Sequence, residues 1–236
     1  MKTVLITGGS RGIGRAAVKR FAHGGYQVVF CYHSHKTEAA ALLSELSDLP
    51  VAGVQADVSD PEAVKRLTDG LHVDVLVNNA GIAGQKLLCE ITPEEWDRMF
   101  AVNVRGMYLC ARAVLPNMIR RQNGKIINLS SIWGITGASC EAAYSASKAA
   151  VIGLTRALAK EVGPSGIQVN CVAPGVVDTE MNQNLTTDDL AALREETPLG
   201  RCGTAAEIAD VIFYLASPGA DFITGQVISP NGGLVI

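Results

Sequence analysis

Apolar and polar positions fall along this chain in blocks whose lengths separate strands from helices. Short apolar runs, several rich in β-branched residues, cover Thr3 to Ile6, Gln27 to Cys31, Val51 to Ala56, Val73 to Val77, Lys125 to Leu129, Ile167 to Val172 and Gln226 to Ser229. Such runs read as strands, and Val73 to Val77 is apolar enough to be buried on both faces. Between them, helices are predicted over Arg15 to Ala22, Thr37 to Leu46, Pro61 to about Leu71, Trp96 to about Gln122 and Thr204 to Ala216. A further helix carries Tyr144 and continues from Ala149 to Glu161, where Val151, Leu154 and Leu158 form a stripe suited to a core or a subunit contact. Thr92-Pro93-Glu94-Glu95 marks a helix start with acidic residues in its first turn. From Glu180 to about Gly203 the composition turns polar and changeable, as for a mobile lid over a substrate.

The chain has 236 residues, a length that fits one large α/β domain spanning 1–236 and is short for two. Apolar residues make up 48% and charged ones 18%, and the formal charge of −3 is spread without long runs, so neither nucleic acid nor an anionic membrane is called for. The expected partner is a small molecule. Met1-Lys2 leads straight into a strand-like run and glycines, which does not read as a signal peptide, and no apolar stretch approaches the ~20 residues of a membrane span. Cys31, Cys89, Cys110, Cys140, Cys171 and Cys202 are scattered, with no CxxC and no histidine cluster at ligand spacing. Reduced thiols in a cytoplasmic protein without a metal are the simplest account, with Cys140 as a small hydrophobe.

Two stretches carry candidate chemistry. The first strand ends in Thr7-Gly8-Gly9-Ser10-Arg11-Gly12-Ile13-Gly14 and runs into a helix. Glycines let a backbone approach phosphates, and the helix start offers free N–H groups and a positive dipole end to a pyrophosphate. The second stretch is Tyr144-Ser145-Ala146-Ser147-Lys148. Positions i and i+4 share a helix face, so an ammonium stands beside a phenol and is expected to lower its pKa toward neutrality.

TGGSRGIG, the NNAG of Asn78 to Gly81, Asn103, Ser131, YSASK and Pro174-Gly175 together resemble, in order and separation, the short-chain dehydrogenase/reductase family. The resemblance covers essentially the whole chain. It implies a single-domain Rossmann-type α/β fold, a doubly wound parallel sheet with helices on both faces. It also implies a cofactor site made of Gly8, Gly9, Ser10, Arg11, Gly12, Ile13 and Gly14, then Tyr32, His33 and Ser34 after the second strand. Asp57 and Val58 follow at the adenine, and Asn79, Ala80 and Gly81 form a close-fitting turn, with Asn78 bracing the sheet. Pro174, Gly175, Val177 and Thr179 belong at the nicotinamide, and Tyr144 and Lys148 at its ribose. Where an acid would bind the 2′-hydroxyl of NAD, this chain reads Tyr32-His33-Ser34-His35-Lys36, with Arg11 in the glycine turn, so the expected cofactor is NADP(H). The catalytic set implied is Asn103, Ser131, Tyr144 and Lys148: Ser131 polarises a ketone, Tyr144 delivers a proton, Lys148 depresses the phenol and Asn103 kinks its helix and holds a relay water. Ser131 is preferred to Ser130 because it lies thirteen before Tyr144. A homotetramer is expected by the same resemblance.

Within the family the chain is most similar to bacterial 3-oxoacyl-acyl-carrier-protein reductases of fatty acid biosynthesis, through TGGSRGIG, APGVVDTEM and ITGQ with NGG. The arginines those enzymes offer to acyl carrier protein correspond here to Gln122 and Ser165. Arg120, Arg121 and Lys125 lie close in sequence as substitutes. SSIWG followed by TGASCE and YS resembles instead the reductases of 5-aminopentanone-modified elongation factor P, where Glu141 would face a substrate amine or else serve the helix dipole. A sugar or steroid alcohol dehydrogenase linked to NAD is disfavoured by the missing second-strand acid. A non-catalytic dinucleotide sensor or scaffold is disfavoured by the intact Ser, Tyr and Lys.

Overall fold

Strict alternation of side chains along the first strand decides the architecture. In the computed structural model, which describes residues 1–180 and 187–236, β1 (Thr3–Thr7) sends Val4 and Ile6 to one face of a sheet and Leu5 to the other, all fully buried. A strand buried on both faces needs helices on both. The order is α1 (Gly12–His23), β2 (Gln27–Tyr32), α2 (Lys36–Glu45), β3 (Val51–Gln55), α3 (Pro61–Thr68), β4 (Val75–Asn78), α4 (Pro93–Phe100), α5 (Gly106–Arg121) and β5 (Gly124–Leu129). Then come α6 (Trp133–Thr136), α7 (Ala142–Val162), β6 (Ile167–Val172), β7 (Val177–Asp178), α8 (Thr187–Glu196), β8 (Gly203–Thr204), α9 (Ala205–Ala216) and β9 (Val227–Ile228). Seven strands pair in parallel in the order β3-β2-β1-β4-β5-β6-β9, so the doubly wound α/β expectation holds. One core packs Ala17, Phe21, Leu42 and Ile212 from α1, α2 and α9 on the sheet; the other packs Val64, Leu109, Met118 and Leu158 from α3, α5 and α7.

Several boundaries differ from the sequence reading. The helix after Asp60 stops at Thr68 because Asp69 is extended and Gly70 has φ +67°. The long helix predicted from Trp96 is two helices joined by a π-helical turn, Ala101–Arg105, with Asn103 at its centre. A π turn inserts one residue into the ladder, at the position where the resemblance implies a kink. The short helix α6 and the two-stranded β7–β8 ribbon have no sequence signal strong enough to predict them. The expected lid from Glu180 to Gly203 contains α8; its residues 181–186 lie outside the described residues.

The carboxyl-terminal edge of the sheet is held open between β1 and β4, where the strand order reverses and such sheets bind ligands. Thr7 Oγ1 accepts the amides of Asn79 and Ala80, each at 3.0 Å, and Asn79 Nδ2 donates to the carbonyls of Thr7 at 2.9 Å and Gly8 at 3.0 Å. Asn78 Nδ2 donates to Asn128 Oδ1 at 2.9 Å, and Asn128 Nδ2 to Thr155 Oγ1 at 2.9 Å, so Asn78 does brace β4 against β5 and α7.

At the opposite edge, two of the three cations that could substitute on a carrier-protein surface, Arg121 and Lys125, serve the fold. Arg121 donates to Asp74 and to the Val73 carbonyl, both at 2.6 Å. Lys125 is buried and donates to the Ser217 carbonyl at 2.6 Å and to Asp221 at 2.7 Å. Their partners lie far away in sequence, so both side chains are committed to tying strand starts to neighbouring loops.

A Cβ at Gly14 would run into the Gly8 carbonyl and the Asn79 amide. Gly14→Ala is therefore expected to lower stability in denaturant unfolding by about 3 kcal/mol, because backbone rather than a flexible side chain must move.

Candidate active site

The glycine turn builds the first cleft. Gly8 and Gly12 have φ of +67° and +53°, which L side chains rarely adopt, and a Cβ at Gly8 would lie 2.9 Å from the Ala80 Cα. The turn is thus a cradle that side chains would fill, as a dinucleotide's pyrophosphate requires. The cleft is lined by Gly8, Ser10, Arg11, Gly12, Ile13 and Gly14, by Tyr32, His33, Ser34 and His35 after β2, and by Asp57 and Val58 after β3. Asn79, Ala80, Gly81 and Thr179 close it. Gly9 stands apart: its amide donates to the Cys31 carbonyl at 2.9 Å and it packs on Phe30, which leaves it behind the cleft wall.

Asp57 is less free than its expected adenine contact suggests. Its Oδ1 accepts from the Ser59 amide at 2.9 Å and hydroxyl at 2.7 Å, while Oδ2 accepts from Arg98 at 3.1 Å. These donors hold its carboxyl below the ordinary range against the opposing effect of burial. Arg98 on α4 also donates to Ser59 Oγ at 2.8 Å and lines the cleft. No local motif marked Arg98, because its partners are about forty residues earlier.

The second cleft adjoins the first across Arg11, Ile13, Gly81, Ile82 and Thr179, which line both. Ser131, Trp133, Glu141, Tyr144, Pro174, Gly175 and Val177 face it, with Gln85 and Leu193. Gly175 has no room for a Cβ, since one would sit 2.8 Å from the Asn231 Cα; the turn at Asn231 packs against this wall. Tyr144 and Ser131 turn to the same cleft, and Ser131 Oγ accepts the Trp133 amide at 3.2 Å. Lys148 and Asn103 line neither cleft. Both stand behind Gly81, where a Cβ would meet Asn103 Oδ1 at 3.3 Å and Lys148 Nζ at 3.4 Å.

The electrostatics differ from the sequence expectation. Lys148 Nζ lies 5.6 Å from the Tyr144 ring centre and donates to the Leu129 carbonyl at 2.9 Å. Yet the phenol is not depressed. Burial pushes it up to about 12, against the lowering hydrogen bond from Ser131, and the Glu141 carboxylate adds to the rise. Burial also lowers Lys148 to about 8, with Cys171 acting weakly in the opposite sense. Spacing placed the ammonium beside the ring, but both groups are so deeply buried that desolvation is the largest influence on each. At neutral pH the tyrosine therefore holds its proton and the lysine is mostly charged.

Asn103 is fully buried and engaged on every side. Its Oδ1 accepts the Ile82 amide at 2.8 Å, and Nδ2 donates to the Ile82 carbonyl at 2.9 Å, Ser147 Oγ at 3.0 Å and Met99 Sδ at 3.1 Å. Glu141 is the N-cap of α7 but makes no capping bond, and its half-buried carboxyl is raised by burial with no ion pair or hydrogen bond among the described residues. The nearby Lys86 ammonium turns to Glu95 instead.

The buried lysine sets a pH signature. Lys148 binds its proton more weakly folded than unfolded, so the wild type gains stability as pH rises from about 8 toward 10.5. Tyr144, raised from 10.0, acts in the opposite sense only above pH 10. In denaturant unfolding, the stability of Lys148→Met relative to wild type is expected to fall by up to about 3 kcal/mol between pH 7 and pH 10. A pH-independent difference would contradict the burial assigned to the amine.

A family model described as enoyl-(acyl carrier protein) reductase matches residues 8–235. The chain is 41% identical to the 3-oxoacyl-[acyl-carrier-protein] reductase FabG of Staphylococcus epidermidis, over 99% of this chain and 98% of that protein. It is 40% identical to the uncharacterized oxidoreductase YmfI of Bacillus subtilis, over 98% of each. The crystal structure of 3-oxoacyl-[acyl-carrier protein] reductase from Brucella melitensis superposes with a TM-score of 0.95 at 37% identity, covering 100% of this chain and 91% of that one. With its glycine cradle, its paired Ser131 and Tyr144 and these relatives, the chain belongs to the short-chain dehydrogenase/reductase family of oxidoreductases.

Proposed function

We propose that this chain is an NADPH-dependent reductase that converts a 3-oxoacyl thioester on acyl carrier protein to the 3-hydroxyacyl form. The observation that carries the reading is the pair of hydroxyl-bearing residues, Ser131 and Tyr144, facing a cleft that joins the glycine cradle, with Lys148 behind Gly81. The names of the FabG relatives support the substrate class. NADPH, when bound, supplies the hydride. Ser131 donates a hydrogen bond to the ketone oxygen as negative charge grows there, and Tyr144 gives up its proton to that oxygen. The phenolate left behind is stabilised by the Lys148 ammonium, and Asn103 completes the relay that returns the proton. Arg11 and the absence of a carboxylate among Tyr32, His33 and Ser34 favour the 2′-phosphate of NADP(H). The same reading makes the protein a single-domain cytoplasmic homotetramer, with the faces of α5 and α7 as its contacts; no helix among the described residues is long and apolar enough to cross a membrane.

A second reading is favoured by Glu141. A half-buried carboxyl with no partner among the described residues, lining the same cleft as the two hydroxyl-bearing residues, suits a ketone that carries an ammonium, as on 5-aminopentanone-modified elongation factor P. The loss of Arg121 and Lys125 to the fold also weakens the carrier-protein surface.

The deciding experiment follows NADPH oxidation with 3-oxoacyl-acyl carrier protein and with the modified factor. Faster turnover of the thioester supports the first reading; turnover of the modified factor alone supports the second. Turnover of neither would overturn both. On the accepted substrate, Tyr144→Phe should cut kcat by about 10²- to 10⁴-fold while leaving NADPH binding intact. Glu141→Gln should raise KM for an amine-bearing ketone at least about tenfold and leave a thioester unaffected; equal effects would remove the counter-ion role.

A further inference from the structure

Ser147 stands between the two helices that meet at the site, and the reaction as read above gives it no role. It is fully buried, three residues after Tyr144 and one before Lys148. Its hydroxyl donates to the Tyr144 carbonyl at 2.7 Å, a bond that serines commonly make within a helix. Such a back-bond leaves the oxygen's lone pairs free. Here one is occupied from another element, by Asn103 Nδ2 at 3.0 Å, and Asn103 is in turn clamped to both backbone groups of Ile82. Ile82 lines both clefts. A continuous buried path therefore runs from the cleft wall, through the π turn, to the backbone of the tyrosine.

We propose that Ser147 is a positioning residue, fastening the first turn of α7 to the π turn through Asn103 and so fixing where Tyr144 and Lys148 stand relative to the clefts. A helix's first turns are its least constrained, because their N–H groups lack intrahelical partners, and Glu141 makes no capping bond here. The Ser147 hydroxyl is the hydrogen bond that α7 exchanges with Asn103, and it lies within one turn of both reactive side chains. Displacement of a reacting group by about 1 Å can reduce a rate about a hundredfold, so a clamp at this point acts on kcat rather than on binding. The proposal rests on the reductase reading only for its kinetic consequence; the clamp itself is readable without turnover.

The test compares wild type, Ser147→Ala, Asn103→Ala and the double variant of the full chain. Amide hydrogen exchange should be about tenfold faster over residues 144–148 in Ser147→Ala and unchanged over 152–162. On whichever ketone the wild type accepts, kcat should fall about ten- to a hundredfold with KM for NADPH within about twofold. The two single losses should not add in the double variant, since both cut one path. If Ser147→Ala does not fold, Ser147→Cys, which keeps the size and weakens the bond, takes its place. Unchanged exchange at 144–148 would overturn the clamp even if the wild type reduced neither ketone. Additive losses, or a loss in KM alone, would overturn its route through Asn103.

Discussion

The switch point between β1 and β4 is the constraint on which the rest of the structure depends. The two strands pair side by side, but the connections that leave them run to opposite sides, which opens a crevice at their carboxyl ends where exposed backbone groups need partners. Thr7 and Asn79 supply them for each other, with four hydrogen bonds of 2.9 to 3.0 Å across the gap. The glycine turn then has to pass over this knot without side chains. Gly8 meets Ala80 and Gly14 meets Gly8, so the cradle is a consequence of the knot's width as much as of any ligand.

Burial is the second organising influence, and it sets the chemistry. A phenol pushed up to about 12 and an amine lowered to about 8 are both held toward their neutral forms by the same dry surroundings. On the proposed reductase reading, a tyrosine that keeps its proton at neutral pH is the acid that meets the growing alkoxide. On the same reading, the ammonium fixed on the Leu129 carbonyl stabilises the charge that proton leaves behind. The partnerless Glu141 introduces the opposite charge at the rim, so the site has a polarity running from its mouth to its floor.

The sequence made the architecture and the central chemistry legible because both are written locally. Alternating apolar runs locate strands, a glycine turn is a contiguous motif, and Tyr144 and Lys148 are one helical turn apart. Ser131 and Asn103 were reached only through resemblance; the structure sets Ser131 on the second cleft and Asn103 in a π turn behind Gly81. What failed was long-range. Arg121 and Lys125 looked free because Asp74 and Asp221 lie 47 and 96 residues away. Arg98 carried no mark because Asp57 finds it only after folding. The direction of the Tyr144 shift was misread for a related reason: spacing reveals a neighbour, whereas depth of burial depends on the whole packed core. Gly9 was grouped with the cradle by motif, yet its backbone geometry turns it toward Phe30.

The wall beneath Pro174 and Gly175 has a consequence for how the protein comes into being. Gly175 donates to the Pro230 carbonyl and touches Asn231, while Ala173 donates to Ile228. A ribosome that has released everything through β6 has delivered Ser131, Tyr144 and Lys148, but not the segment that backs the substrate cleft. The cleft wall is therefore complete only once the residues around 228–231 have emerged and docked, so on the reductase reading a partly made chain has no finished substrate cleft.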